Sequence, residues 1–277
     1  MKTKAFDAHF HIIDPRFPLV SNQGYMPPAY TATEYSEATK GFSHLHVQGG
    51  AVVSGSFQLY DQDYLVDAIK QLGKGSYVGV TQLPLDEPVD ENRVRELNNL
   101  GVRAIRYNIT RGVAANTEDI RKQALEMYRI SNWHAEFYID TALLADPEHF
   151  ALLGSLPVVS LDHVGFSALG LSNLIRLLKH RKDLSLPSSV KLTGFGRYLG
   201  SPEELRNSLL ALFREFPETL IWGSDLPSTR ARVPFDEPSA VSLIHECAQE
   251  VCSSEAAVTV LLQNIYWDNA ERLYLHS

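Results

Sequence analysis

Cysteine is nearly absent from this 277-residue chain. Its two copies, Cys247 and Cys252, fall in one predicted helix and point to different faces of it, which suits neither a disulfide framework nor a zinc site. Both read as small core residues. No apolar run approaches the ~18 residues of a membrane span. The opening MKTKAFDAHFHIID lacks the apolar stretch of a signal peptide, so a cytoplasmic protein is expected. Positive charge is in deficit, with 25 Lys and Arg against 33 Asp and Glu and a net charge of −8. That balance argues against nucleic acid or an anionic membrane as partner and says little about a small-molecule substrate, because a small basic pocket can sit inside an acidic protein. No Gly-rich dinucleotide fingerprint follows the first strand, and there is no internal repeat, low-complexity tract or linker-like shift in composition.

What is present is an alternation of short apolar strands and amphipathic helices. Strands are expected at 5–12, 51–57, 77–83, 102–108, 135–140, 157–163, 189–195 and 219–224, each rich in β-branched or aromatic residues and bounded by Gly, Pro, Asn or Asp. Helical patterns such as QDYLVDAIKQLG and SPEELRNSLLALFREF lie between them, the latter opening on a Ser N-cap, a Pro and two acids. QNIYWDNAERLYLHS reads as a closing helix. Eight strands in near-continuous apolar runs describe a parallel sheet covered by helices. The expectation is a (β/α)8 TIM barrel spanning 1–277 as one domain, with a doubly wound sheet as runner-up. The Pro-rich segment 14–32 then becomes a loop over the active-site mouth. Oligomeric state has no signature in the sequence.

Chemistry in such barrels sits at the C-terminal ends of the strands. His9 and His11 end strand 1. Arg106 and Asn108 end strand 4, with Arg111 just beyond. Tyr138 and Asp140 end strand 5, Asp162 and His163 strand 6, Arg197 follows strand 7, and Ser224 and Asp225 end strand 8. Being two apart on a strand, His9 and His11 face the same way, toward the interior. Such a pair can share a metal ion or act as paired electrophiles. An isolated H-x-H is more often a hydrogen-bonded core pair. The second one, His44-Leu-His46, precedes strand 2 at the opposite rim and reads as structural or exposed, as do His134, His149, His180, His245 and His276. Asp225 follows the apolar run TLIW, where an unpaired carboxylate is costly, so it needs a histidine, arginine or metal partner. Alternation turns Asp162 away from the interior, toward a strand or helix contact. Arg103 and Arg106, three apart, face opposite sides, and Arg106 is taken as the inward one. Arg111 has a solvated surface charge as its plainer reading. Tyr25 and Gln58 are minor candidates for lining the pocket.

DAHFHI, LDHVG and WGSDLP, in this order, resemble the amidohydrolase superfamily. GVRAIRYN, WHAEFYID, VKLTGFGR and DNAERLY bring the chain close to its amidohydrolase-2 group and to the 2-pyrone-4,6-dicarboxylate lactonase-like members, over essentially the whole length. The resemblance implies hydrolysis of a carboxylated lactone. Members with a full metal site add a strand 5 histidine, and here that position falls on Tyr138, a poor zinc ligand. Binuclear members add a bridging Lys or Glu on strand 4, which is missing. What remains is His9, His11, His163 and Asp225, able to hold at most a mononuclear ion such as zinc, and lactonases of this type require no metal. The resemblance thus implies Asp225 as general base, one histidine placing the water, the others donating to the oxyanion, Arg106, Arg111 and Arg197 clamping substrate carboxylates, and Tyr138 adding a hydrogen bond. Alternatives are a metal-dependent decarboxylase of the same group and a non-catalytic carboxylate-binding barrel.

Overall fold

A computed structural model of the chain describes residues 2–112, 116–229, 231–233 and 235–276. Eight strands follow one another in chain order: β1 (Thr3–Phe10), β2 (Leu45–Val53), β3 (Tyr77–Thr81), β4 (Val102–Tyr107), β5 (His134–Phe137), β6 (Val159–Leu161), β7 (Ser188–Leu192) and β8 (Leu220–Trp222). They pair in parallel from β1 through β8. Closure comes from backbone bonds between the two edge strands' ends: Asp225 N–H donates to His9 O and His11 N–H to Leu226 O, both at 2.8 Å. The expected (β/α)8 barrel is therefore formed, as a single domain. Helices α1 (Ala32–Lys40), α2 (Asp63–Leu72), α3 (Glu91–Leu100), α4 (Thr117–Ser131), α5 (Pro147–Ser155), α6 (Leu171–Asp183), α7 (Pro202–Glu215) and α8 (Glu237–Val251) cover the outside. The Ser201 cap of α7 is in place, its hydroxyl accepting from Glu204 N–H while the Glu204 carboxylate accepts from Ser201 N–H.

The strands separate two cores. Outward strand residues such as Phe10, Ile105, Leu161 and Leu192 pack between sheet and helices together with helix residues such as Leu65. Inside the ring, Phe6, Ala8, Ala51, Val53, Val78, Val80, Ala104 and Ile221 form a smaller core, plugged by Trp267, Ala270 and Tyr274. The plug is the chain's last segment, α9 (Glu255–Gln263), a π-helical turn at Asn264–Asp268 and α10 (Asn269–Tyr274). Tyr274 stacks on Phe6 at 5.3 Å between centroids, and Trp267 meets Phe6 edge-on at 6.1 Å. Burying each such side chain contributes on the order of 2–3 kcal/mol. Among the described residues no helix is long and apolar enough to cross a membrane. Cys247 is buried, Cys252 partly exposed, and both are free.

Strand β1 does not keep a strict period of two. Phe6 and Ala8 face the inner core, yet His9 and His11 also face inward. Opposite β2 the register runs Asp7 to Gly50 and then Phe10 to Val52, so three steps on one strand meet two on the other. That extra residue is a β-bulge, and it re-aims the strand end so that both histidines enter the barrel. Asp7, left facing the helices, is fully buried and accepts from His9 N–H (3.2 Å), Ser224 N–H (2.8 Å), Ser224 Oγ (2.6 Å) and Tyr35 OH (3.0 Å). It ties the bulge to the β8 end.

Candidate active site

Above the apolar plug lies a layer of buried charge, and above that the histidines. Arg106 donates through Nε (3.2 Å) and Nη2 (2.7 Å) to Asp162 Oδ2, and through Nη1 to Ser54 O at 2.7 Å. Asp162 is thus an interior residue, 1% exposed, contrary to the outward orientation expected from alternation. Strand β6 ends at Leu161 with Ser160 and Asp162 in phase, and the chain then turns over. His163 and Val164 adopt φ of 54° and 56°, a left-handed turn that swings the His163 ring inward beside Asp162. Gly194, itself at φ +60°, makes room for that ring: a Cβ there would stand 2.2 Å from His163 Nδ1.

Asp225 (φ 59°) turns back from the β8 end over the mouth. Its Oδ2 accepts from Arg197 Nε at 2.6 Å, and its Oδ1 lies 3.3 Å from Arg197 Nη2, 3.9 Å from His9 Nε2 and 4.0 Å from His11 Nε2. Arg197 Nη2 also donates to Thr229 Oγ1 at 3.1 Å. Rings of His9 and His163 are 4.9 Å apart and those of His9 and His11 5.1 Å. The structure thus brings His9, His11, His163 and Asp225 to one place. They do not form one ligand set: His9, His11 and Asp225 make one group within a metal ion's reach, while His163 groups with His9 and Asp162.

Arg106, Arg111, Arg197 and Tyr138 line a single pocket together with His11, His163 and Asn22. Tyr138 stands among the cations, with the Arg106 and Arg111 guanidinium carbons 5.3 and 5.6 Å from its ring centre and its hydroxyl 3.5 Å from Arg111 Nη2. Tyr25, from the loop after β1, lines the same pocket. Gln58 does not, because its amide bridges Gly55 N–H and Ile12 O and holds the backbone beneath. Arg103 points out and bonds Asn98, as expected. Arg197, expected as a clamp, lines the pocket and pairs through one edge of its guanidinium with Asp225.

Two buried ionic residues beneath the histidines escaped the sequence reading. Lys191 on β7 and Glu136 on β5 are both fully buried and ion-paired. Glu136 also accepts from Tyr274 OH and lies 3.2 Å from His134 Nε2, which places His134 inside the network as well. The available signal was a lysine between Val190 and Leu192 and a glutamate between Ala135 and Phe137, charges that an apolar strand accepts only when paired.

Burial sets the protonation states. It lowers His11 to about 3, with Arg106 adding to the effect. It likewise holds His9 and His163 well below the usual histidine range, against the pull of Asp162. All three are therefore neutral near pH 7, each with one donor and one acceptor nitrogen. His11 Nδ1 donates to Val53 O at 2.7 Å, which leaves its Nε2 lone pair toward Asp225. Burial raises Asp225, and Arg197 restrains the rise. Burial would also raise Asp162, but His9, Arg106 and Lys191 together hold it well below the ordinary carboxylate range.

Residues 6–275 match the family model described as amidohydrolase. The chain belongs to that family. Among solved structures, a Pseudomonas putida protein with a provisional description as a 2-pyrone-4,6-dicarboxylic acid hydrolase is 25% identical, with a TM-score of 0.72 over 99% of this chain and 98% of its own. A probable hydrolase of the same description from Acinetobacter baumannii, with citric acid bound, is 21% identical with a TM-score of 0.75 over 98% of both chains. A dihydroorotase shares the fold at 11% identity and a TM-score of 0.62, over 98% of this chain and 69% of its own. Amidohydrolases often use a divalent metal, and in this one His9, His11 and Asp225 offer three ligand atoms within 4.8 Å of one another. The donor set fits one ion by distance. The strand 4 end, where a bridging ligand for a second ion was sought, presents the cation Arg106 to the interior.

Proposed function

We propose that this amidohydrolase opens a carboxylated lactone, with Asp225 as general base and no required metal. The observation that carries the reading is a buried carboxylate set about 4 Å from two neutral imidazoles, beneath a mouth lined by Arg106, Arg111 and Arg197 and, among the described residues, by no carboxylate. Asp225 takes one proton of water as the oxygen attacks the lactone carbonyl carbon, and the His11 Nε2 lone pair accepts the other hydrogen and aims the water. The carbonyl oxygen gains the negative charge, stabilised by imidazole N–H groups and the nearby guanidiniums. Collapse breaks the ring C–O bond, and the proton on Asp225 passes to the departing oxygen. Arg111, without a carboxylate partner among the described residues, and the Tyr138 hydroxyl receive a substrate carboxylate. The doubly carboxylated lactone named for the two bacterial relatives, and the citric acid held by one of them, are of this class. A divalent ion held by His9, His11 and Asp225 would supply Lewis-acid polarisation of the carbonyl. The partner is a small anionic molecule.

The test is a panel of carboxylated and uncharged lactones read by proton release, with and without chelator. Turnover of a dicarboxylated lactone that survives chelation and falls about 10²–10⁴-fold in Asp225→Asn is expected. Retained turnover in that variant, or strict dependence on added metal, would refute the reading.

A further inference from the structure

Lys191 reaches the floor of the site from β7 with its ammonium wholly buried. Three groups from other strands face it: the Glu136 carboxylate, Asp162 Oδ1 at 3.4 Å and His9 Nδ1 at 3.4 Å. An ammonium has hydrogens to donate and no lone pair, so a ring nitrogen hydrogen-bonded to it must be the unprotonated one. Asp162 Oδ1 lies closer to the same nitrogen, at 3.2 Å, and attracts it as a charge, but it stands off the line of a ring N–H. Asp162 is held instead through Oδ2 by Arg106.

We propose that Lys191 is a positioning residue that fixes His9 in the tautomer carrying its proton on Nε2, making His9 a hydrogen-bond donor into the active site. The Nε2 atom is buried and has no partner among the described residues. It faces the space beside Asp225 Oδ1. A buried N–H without an acceptor is costly, so the acceptor comes with the ligand, and the oxygen of an attacked carbonyl is the group that fits. The strand 1 pair is thereby split. His11, with Nδ1–H on Val53 O, presents a lone pair to the water, and His9 presents a hydrogen to the carbonyl. A divalent ion needs the Nε2 lone pair of both histidines. The same hydrogen therefore opposes metal, and the ammonium behind the ring adds like-charge repulsion. Only the identity of the acceptor rests on the lactonase reading.

Histidine tautomers are read directly in ¹⁵N-labelled full-length protein from long-range proton–nitrogen correlations, with His9 assigned by its loss in His9→Gln. The expected spectrum shows His9 protonated at Nε2 and His11 at Nδ1. In Lys191→Met, His9 switches to Nδ1–H, and zinc, titrated alone into chelator-stripped protein, binds about 10–100-fold more tightly. Lys191→Gln, whose amide still donates, keeps the Nε2–H form. A wild-type His9 protonated at Nδ1 overturns the proposal, and so does a Lys191→Met protein whose His9 tautomer is unchanged. The wild-type spectrum needs no variant to fold. It also separates the two ideas, since an Nε2–H His9 in a protein that opens no lactone refutes only the proposed substrate.

Discussion

Replacing Arg197 by Met tests what the arginine does for Asp225. The substitution keeps an unbranched side chain and removes two hydrogen bonds to Asp225, from Nε at 2.6 Å and Nη2 at 3.3 Å, one to Thr229, and the interaction with the Tyr138 hydroxyl. Asp225 is then a buried carboxylate without its strongest counter-charge. Breaking such a pair costs about 3–5 kcal/mol, and an effective dielectric near 20 gives the same scale for charges about 4 Å apart. Burial already raises Asp225, and losing Arg197 raises it further. A carboxylate with a raised folded pKa binds its proton more tightly in the native than in the unfolded state. Stability therefore falls as pH climbs from the unfolded value through the folded one. The stability deficit of Arg197→Met should accordingly be larger near pH 8 than near pH 5 in urea titrations. Because the base must be ionised to work, the acid limb of kcat/KM for lactone opening should also move to higher pH. A residue that only clamped the substrate would raise KM for carboxylated lactones and leave both pH profiles in place. That outcome would refute the assignment of Arg197 to Asp225.

Three further expectations follow from buried contacts. Asp7, raised to about 6 by burial against four hydrogen bonds that lower it, disfavours the ionised fold, so part of the protein's stability is present below the unfolded carboxylate range and lost as pH rises toward 6. Asp7→Asn should flatten that slope, an effect of roughly 3 kcal/mol in urea melts across the window. Gly194→Ala places a methyl where the His163 ring lies and adds strain at a positive φ, so turnover should drop with the ring displaced in a crystal structure, and wild-type activity would show that ring position to be unimportant. Elemental analysis of the purified protein should find at most one ion per chain, since the strand 4 bridging position is occupied by a cation; two tightly held ions would contradict it.

The barrel was legible because its strands are runs of β-branched and aromatic residues separated by turn formers. Strand ends were less so. The expected strand 135–140 pairs only over His134–Phe137, and 219–224 only over Leu220–Trp222, because the rim residues turn into the site instead of continuing the ladder. β2 starts at Leu45, earlier than expected, since its mostly polar first half is solvent-exposed and pairs with β1 alone before β3 joins at Gly50, so it lacks the apolar run that marks a strand. Asp225 could be placed from strand position, and His9 and His11 from lying together at the end of strand 1, although the bulge that turns them inward leaves no mark in the sequence. Asp162 could not, for period-two counting fails where His163 enters a left-handed turn, and nothing local marks that turn. Arg197 was seen as a cation at the mouth, yet its pairing with Asp225 joins residues from β7 and β8 loops and depends on their relative reach.

The plug at the base of the barrel bears on how the chain folds. Tyr274 OH reaches Ala8 O across 266 residues of sequence and bonds Glu136, whose other oxygen holds Lys191 under His9. Strand β1 and α10 are thus parts of one cooperative unit, and the contact between Tyr274 and Ala8 closes a very long loop. Such non-local contacts form late and slow the search for the native state. The strand 1 histidines therefore gain their floor and the aspartate opposite them only when β7, β8 and α10 have closed the barrel around them.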